Sequence, residues 1–553
     1  ATAGTLSSTG GTLGLPIGAT LASGASFSTS NTTLNLGGSL SVADTWTSTN
    51  TNISLTDNAS LSSTAPVGLA TLQTNGHDFE LDLDDTDLTI QNAFALSGGE
   101  TLRTQGADLI FADSADISSG ATLDATVLTG TGGKLEFQQG GTSAGTINAA
   151  GAEFKIGADY AVTGTLKTNS GTIWELGTSN LDLSGGSLYL GGDVSLDKIV
   201  TNNETKFELN GEDATVTRYE GFTLGGLDFA DYTFTLGTED TDLTLDLSAA
   251  TGDSPTGTLA TQAADLTILG APTMTAGTII SSTGGTFTFG DGLSISGATL
   301  SLTGSTLALG GSFSNTGGTL TLSGTDLELL SDVSLSSDSA AAFDSFDPKG
   351  FNLELSSTST GNVALGTLAL TEEKIEVNGG TLSLAGGSVG TNGELEVGGS
   401  GTLSLQGDLT VTGTLNLSSG ASLTLAGNTL DISGGQLELA GTHSLDGITT
   451  GANTTLQINS SANISRTDSG TSTVGNLIFS SQTGGAASLT LSVNNMSLSV
   501  AAAAQFSGIS LSQSNGKLTF QGAPAFSNTS SLNVSGGELI LQSGGTLSDS
   551  SLN

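Results

Sequence analysis

The sequence has no cysteine, six prolines, two histidines and only 11 lysines and arginines in 553 residues. Without cysteine there is no disulfide framework, no thiolate metal site and no thiol nucleophile. No run of about 18 apolar residues occurs, so no segment spans a membrane as a helix. The 11 basic residues face 53 acidic ones, a formal net charge of −42. That balance excludes a general nucleic-acid binder, which needs clustered Lys and Arg against phosphate. It also argues against anionic membranes as a partner. No stretch carries a helical apolar period.

What is present is glycine, 81 residues, and a hydrophobic fraction of 36% in strict alternation with small polar residues. Low charge with Gly, Ser and Thr suits a disordered linker, but disorder does not require alternation. The pattern is cleanest from Phe287 to Leu335. Phe287/Phe289 recurs at Leu307/Leu309 and Leu327/Leu329, a step of 20 residues each time. Leu293/Ile295 is followed by Phe313 and then Val333/Leu335, and a third series runs Ile280, Leu300/Leu302, Leu320/Leu322.

Each apolar pair reads as a short strand with one buried face, and the intervening Gly, Ser, Asn and Asp read as turns. Three strands and a return to register describe one coil of a β-solenoid, and fixed-period self-similarity outranks any local motif. The fold expected is therefore all-β: a single-stranded, right-handed parallel β-helix with three short strands per coil of 20–22 residues. At that period the chain makes about 25 coils and a rod on the order of 120 Å.

The pattern opens at Leu13/Leu15, answered by Leu34/Leu36 and Ile53/Leu55, and Trp46 is expected to fill the core or a corner. From Leu353/Leu355 it resumes through Ile375/Val377, Leu395/Val397, Leu415/Leu417 and Leu437/Leu439. Leu382/Leu384, Leu403/Leu405 and Leu423/Leu425 hold a second side. Residues 1–553 thus read as one continuous solenoid. The charged stretch 196–255 reads as longer turns or a small insertion, and 343–350 as a loop insertion. Gly-Gly before a strand, as at Gly185-Gly186, suits a corner crowded by neighbouring coils.

Candidate chemistry is sparse. His77 and His443 fall many coils apart and cannot cooperate within one array. No Gly-x-Ser-x-Gly elbow sits between strand and helix. Asp82, Asp84, Asp85 and Asp87 are the candidate cation ligands, through which Ca²⁺ could cross-link chains, but no EF-hand loop is present and the plain reading is a solvated turn. Paired carboxylates of a polysaccharide-degrading site would sit in 196–255, with Glu212 and Asp213 as the pair to test. Thr-x-Thr pairs such as Thr319/Thr321 are interrupted by Ser, Ala, Asp and Glu, so no flat threonine face is expected.

Units such as Gly-Gly-Thr-Leu-Ser-Leu at 379–384, with Leu-x-Leu pairs every 6–8 residues, resemble the β-helical repeats of bacterial surface proteins: filamentous-haemagglutinin-type adhesins and autotransporter passengers. The resemblance implies a parallel β-helix, exported and displayed as a stalk or fibre; the sparse candidate chemistry leads to the separate expectation of no enzymatic activity and no cofactor. The chain opens at Ala1-Thr-Ala-Gly, as a processed export product would. The repeat runs almost to both ends without an evident cap. The expected partner is therefore a second copy, joined head to tail through Leu13 and Leu15 at one end and Leu539, Leu541 and Leu547 at the other, in an extracellular filament. The competing expectations are a monomeric adhesin stalk that meets glycan or protein through 196–255, and a β-helix enzyme.

Overall fold

A computed structural model describes residues 4–81, 86–126, 133–237, 241–246, 256–468, 470–479, 489–548 and 550–552. The chain is a parallel β-solenoid of about 25 turns with roughly three strands per coil. Among the described residues there is no helix, and every pairing between strands is parallel. Two compact units are formed. The first comprises Ala1–Gly270 with Gly277–Gly285, the second Ala271–Ala276 with Thr286–Asn553.

The alternation of apolar and polar residues produces the strands directly. In Thr381–Leu384 the leucines point inward and are fully buried, while Thr381 faces outward. Coil-to-coil pairing then places like on like. Leu353 pairs with Ile375, Ile375 with Leu395, Leu395 with Leu415 and Leu415 with Leu437, the register read from the period. Phe287, Leu307 and Leu327 are likewise in register. In the first unit Phe79, Leu102, Leu123, Ile147, Leu166, Leu188, Phe207 and Leu227 form one buried column. Each such side chain stabilises by about 1.5–3 kcal/mol on burial, and no coil can bury its own face alone.

Larger side chains stack within a column, as Phe111 on Phe137, and across the core between sheets, as Phe94 on Phe111. Phe94, Phe111 and Phe137 stand 5.1 and 5.2 Å apart, and Tyr160 lies 4.4 Å from Phe137. The Tyr160 hydroxyl donates to the Ala115 carbonyl at 3.0 Å, and burial raises its pKa well above the ordinary value. Trp46 is buried against Phe27 and donates its indole N–H to Thr29 Oγ1 at 2.9 Å, so it is a core residue as expected.

The corners explain the Gly-Gly pairs. Gly185 has φ = 79°, and a Cβ on Gly186 would sit 2.2 Å from the Val162 carbonyl oxygen of the previous coil. The first glycine turns the chain and the second lets the coils approach. At 343–350 the structure is more regular than a loop insertion: Ser345–Asp347 is a strand paired with Asp326–Glu328, and only the following turn is irregular.

Side chains at strand entries add an outer seam of coil-to-coil bonds. On several coils an Asp or Asn just before a strand accepts the backbone N–H of its counterpart on the next coil. Asn58 accepts from Asp78 at 2.9 Å, Asp78 from Thr101 at 2.8 Å and Asp108 from Lys134 at 2.9 Å. In the second unit Asp332 accepts from Asn352, Asn352 from Lys374 and Asp408 from Thr429, at 2.8, 2.8 and 2.7 Å. These carboxylates cap strand entries in the way an N-cap serves a helix.

The two units repeat one another in detail. Residues Asn180–Thr205 read NLDLSGGSLYLGGDVSLDKIVTNNET, and Thr429–Thr454 read TLDISGGQLELAGTHSLDGITTGANT. Thr205 Oγ1 donates to the Leu183 carbonyl at 2.9 Å, and Thr454 Oγ1 to that of Ile432 at 2.7 Å. Glu100 and Glu373 are buried carboxylates that accept the N–H of Ser97 at 2.6 Å and of Thr371 at 2.7 Å.

Candidate functional site

Sheets break off at several places in the stack, among them Trp46–Thr49, Thr71–Gln73 and Thr319–Ser323, but the feature both units share is a forked coil. In the first unit one six-stranded sheet ends at Ile173–Glu175 and another at Ile199–Val200. Between them lies Ser187–Ser195, a nine-residue strand that runs through what is elsewhere a corner, with a register shift between Leu190 and Gly192. Its first half pairs with Thr165–Lys167; its second half pairs with no strand of that preceding coil. The next strand, Lys206–Thr217, then divides. Lys206–Glu208 pairs with Gly226–Asp228, and Ala214–Val216 with Phe234–Leu236. Among the described residues of 196–255, the irregularity includes one long, branching strand, Lys206–Thr217.

The fork leaves strand edges uncovered within the stack. Ile173 donates its N–H to Ala152, so by the alternation of a parallel strand the N–H and C=O of Trp174 face the gap. Ile173 is 59% exposed, and the Trp174 indole N–H is buried without a partner. Polar side chains close the corner from above. Asn210 Nδ2 donates to the Thr168 carbonyl at 2.7 Å, and Glu212 Oε1 accepts the Ser170 N–H at 2.6 Å.

The other edge is closed by a guanidinium. Lys198 and Val200 turn their carbonyls toward Leu181 and Leu183, which leaves the Ile199 carbonyl pointing where the next strand would donate. No strand is there; Arg218 Nη1 donates to it at 2.9 Å. The second unit builds the same fork. Sheets end at Ser422–Thr424 and Ile448–Thr449, Gln436–Ser444 shifts register between Leu439 and Gly441, and Thr455–Ser465 divides to pair with Asn476–Phe479 and Leu491–Asn494. Arg466 Nη1 donates to the Ile448 carbonyl at 3.3 Å and to Ser472 Oγ at 2.9 Å. Its Nε and Nη2 hold both oxygens of Asp468 at 2.7 and 2.8 Å. Arginine suits this place because it keeps its charge and presents several donors in a fixed plane.

At the end coils the core columns open to solvent. Leu13 and Leu15 are half-buried, whereas Leu34 and Leu36, their partners on the next coil, are fully buried. Leu539 is half-buried, Leu541 is 39% exposed and Leu547 52% exposed. Leu13, Leu15, Leu539, Leu541 and Leu547 thus lie on the first and last described coils.

The remaining sequence candidates separate. Asp82, Asp84 and Asp85 lie outside the described residues. Asp87 Oδ1 accepts the Asp108 N–H at 3.2 Å, so it belongs to the outer seam. Among the described residues no three His, Asp, Glu or Cys side chains gather to hold a metal ion. Asp213 Oδ1 accepts the Thr233 N–H at 2.8 Å, so Glu212 and Asp213 bind different backbone groups. His443 is buried, with Nε2 2.7 Å from the Ala440 carbonyl. Sequence reading missed the two arginines of the forks, whose signal was the repeated Leu-Asp-x-Ile followed by an isolated Arg.

An open groove of about 340 Å³ crosses four coils of the first unit, lined by Ser39, Asn58, Ser60, Asp78, Glu80 and Arg103 among others. Arg103 lies 3.3 Å from Asp124 and 3.9 Å from Glu80.

The chain matches no protein-family model, no curated protein and no solved structure. Its class is set by its own geometry: a parallel β-solenoid repeat protein, a fold consistent with a structural or adhesin-like role.

Proposed function

We propose that the protein is an extracellular structural subunit whose solenoid joins head to tail into a filament, for surface attachment or biofilm scaffolding. The observation that carries this reading is the stack itself: Leu382, Leu403 and Leu423 sit in register on successive parallel coils, and one more coil of the same kind continues such a column. A second copy supplies such a coil, and a head-to-tail contact of this sort does not close on itself. The partner is thus another copy of the chain, not nucleic acid or a membrane surface. A net charge of −42 keeps the sides of neighbouring filaments apart.

No catalysis and no cofactor enter this reading. Glu212 and Asp213, the carboxylates best placed in sequence for hydrolysis, each accept a backbone N–H, which supports a structural role for both. The second reading is a monomeric adhesin stalk. The groove at Asp78, Glu80 and Arg103 favours it, because hydroxyl, carboxylate and guanidinium groups are the partners sugar hydroxyls take.

Electron microscopy of the purified chain at neutral pH, with and without chelator, tests the first reading beside the double variant Leu541→Asp, Leu547→Asp. Uniform fibres that the variant cannot form support the filament. Fibres that dissolve in chelator add calcium to the junction. Separate particles in every sample overturn it, and glycan binding abolished by Arg103→Ala would then establish the stalk.

A further inference from the structure

We infer that each forked coil is a built-in opening point, at which its unit comes apart before any regular coil does, with Arg218 and Arg466 as the latches. A solenoid is held by nearest-neighbour coil interfaces, so an interface that lacks one side opens before one paired on all three. A regular step is paired on three sides: Thr381–Leu384, Gly387–Val389 and Glu394–Val397 pair with Thr402–Leu405, Leu409–Val411 and Thr414–Leu417.

Among the described residues the fork lacks one side at each of two successive steps: Ile173–Glu175 has no strand partner on the following coil, and neither has Ile199–Val200 on the one after that. In the second unit Ser422–Thr424 and Ile448–Thr449 stand the same way. Where a strand would have spanned the second of these gaps, a single guanidinium does so. The two units share the same double gap and the same arginine, as their repeated sequences share the strands around it.

The latches are graded. Arg466 is buried, holds Asp468 through two bonds and reaches both Ile448 and Ser472. Arg218 is half-buried, makes one bond to the Ile199 carbonyl and lies 6.0 Å from the Phe222 ring. The first unit is therefore the one that opens more readily.

Hydrogen exchange read by mass spectrometry on the full chain tests this without any assumption about function. In the unaltered protein the segments around Trp174 and Leu423 should exchange faster than strands of regular coils such as Thr402–Leu405. Arg218→Ala should speed exchange by about tenfold, the loss of roughly one net hydrogen bond, and Arg466→Ala by more, each at its own fork only. Arg466→Lys, which keeps the charge and loses the planar donor set, should give part of that effect. Arg103→Ala, a guanidinium on a regular coil, should leave both forks unchanged. Fork segments as protected as their neighbours would overturn the inference, and so would an arginine variant that loosens every coil equally.

Discussion

The Asp446 carboxylate accepts the backbone N–H of Thr467, 2.7 Å away on the next coil, and the hydroxyl of the same residue at 2.7 Å. The Thr467 hydroxyl, followed by the Asp468 and Thr467 N–H groups, holds its pKa well below the ordinary carboxylate range. Arg466 does the same for Asp468. For Glu373 burial acts in the opposite direction, but the Thr371 and Glu372 N–H groups outweigh it and the pKa is lowered. Acidic residues that look like free surface charge are thus structural acceptors.

The pH dependence follows from those directions. A carboxyl whose folded pKa lies below its unfolded value adds stability above the unfolded value, and that stability is lost as pH falls through the folded one. Thermal unfolding should therefore show this contribution intact from neutrality down to about pH 5 and failing below about pH 4. Asp446→Ala should remove part of the acid limb. On the alkaline side Tyr189 is pushed up to about 12, by its hydrogen bond to Glu208 first, and Tyr160 is raised by burial. Raised tyrosines favour the folded state's neutral form, so stability should fall again above about pH 10. An acid limb identical in wild type and Asp446→Ala would remove Asp446 from the account.

The outer seam makes a separate prediction about side-chain chemistry. Asn58 and Asn352 already serve where Asp78 and Asp332 serve on adjoining coils, so the acceptor oxygen matters more than the charge. Asp108→Asn should leave stability nearly unchanged, whereas Asp108→Ala should cost about 1 kcal/mol by leaving the Lys134 N–H without its acceptor. Equal losses in denaturant titrations of the two variants would show that charge, not the hydrogen bond, is what Asp108 supplies.

Much of this architecture is legible in sequence because a strand's side-chain period and a coil's length both repeat without drift. Leu382, Leu403 and Leu423 could be placed in one column from spacing alone, and their pairing is as read. The forks are not legible in that way. Ser187–Ser195 keeps its alternation across Gly191-Gly192, so nothing in the apolar pattern distinguishes a corner from a strand that continues through it. Arg218 sits among Lys206, Glu208, Glu212 and Glu220, where a lone charge looks like solvated decoration; only its bond to Ile199 separates it from them. The kinship of the two units is masked by length, because the sheets ending at the first fork have six strands and those ending at the second have five.

Core columns should be far less tolerant inside the stack than at its open faces. Leu403 is fully buried between Leu382 and Leu423, and Leu403→Ala should cost about 2–5 kcal/mol through lost transfer energy and the cavity left behind. Leu552 is 53% exposed, and Leu552→Ala should cost under about 1 kcal/mol in a dilute, unassembled sample. The comparison becomes sharper with concentration: if copies join end to end, the Leu552 variant should lose apparent stability relative to wild type only where wild type assembles. Equal costs for the two leucines under dilute conditions would mean that the last coil is covered in solution even without assembly.

The last prediction concerns like charges stacked by the coil repeat. Glu354, Glu376 and Glu396 occupy successive positions on one outward column, with neighbouring strands about 4.8 Å apart. Carboxylates at that spacing repel, and Lys374 is the cation set among them, 3.6 Å from Glu376, 3.4 Å from Glu394 and in contact with Glu396. Burial works against its charge, but the surrounding glutamates prevail and its pKa is pushed up to about 12. Asn378 contributes its amide, donating to Glu376 at 2.6 Å and Glu354 at 3.1 Å. Lys374→Ala should therefore destabilise the chain by about 1 kcal/mol in low salt, because it removes attraction and leaves the repulsion. At about 1 M salt the screening length falls to roughly 3 Å, so most of that loss should disappear. Lys374→Ala with Glu396→Gln should recover part of it at low salt, since one repelling charge is gone as well. A Lys374→Ala cost that is the same in low and high salt would assign this residue's contribution to the packing of its aliphatic stem instead.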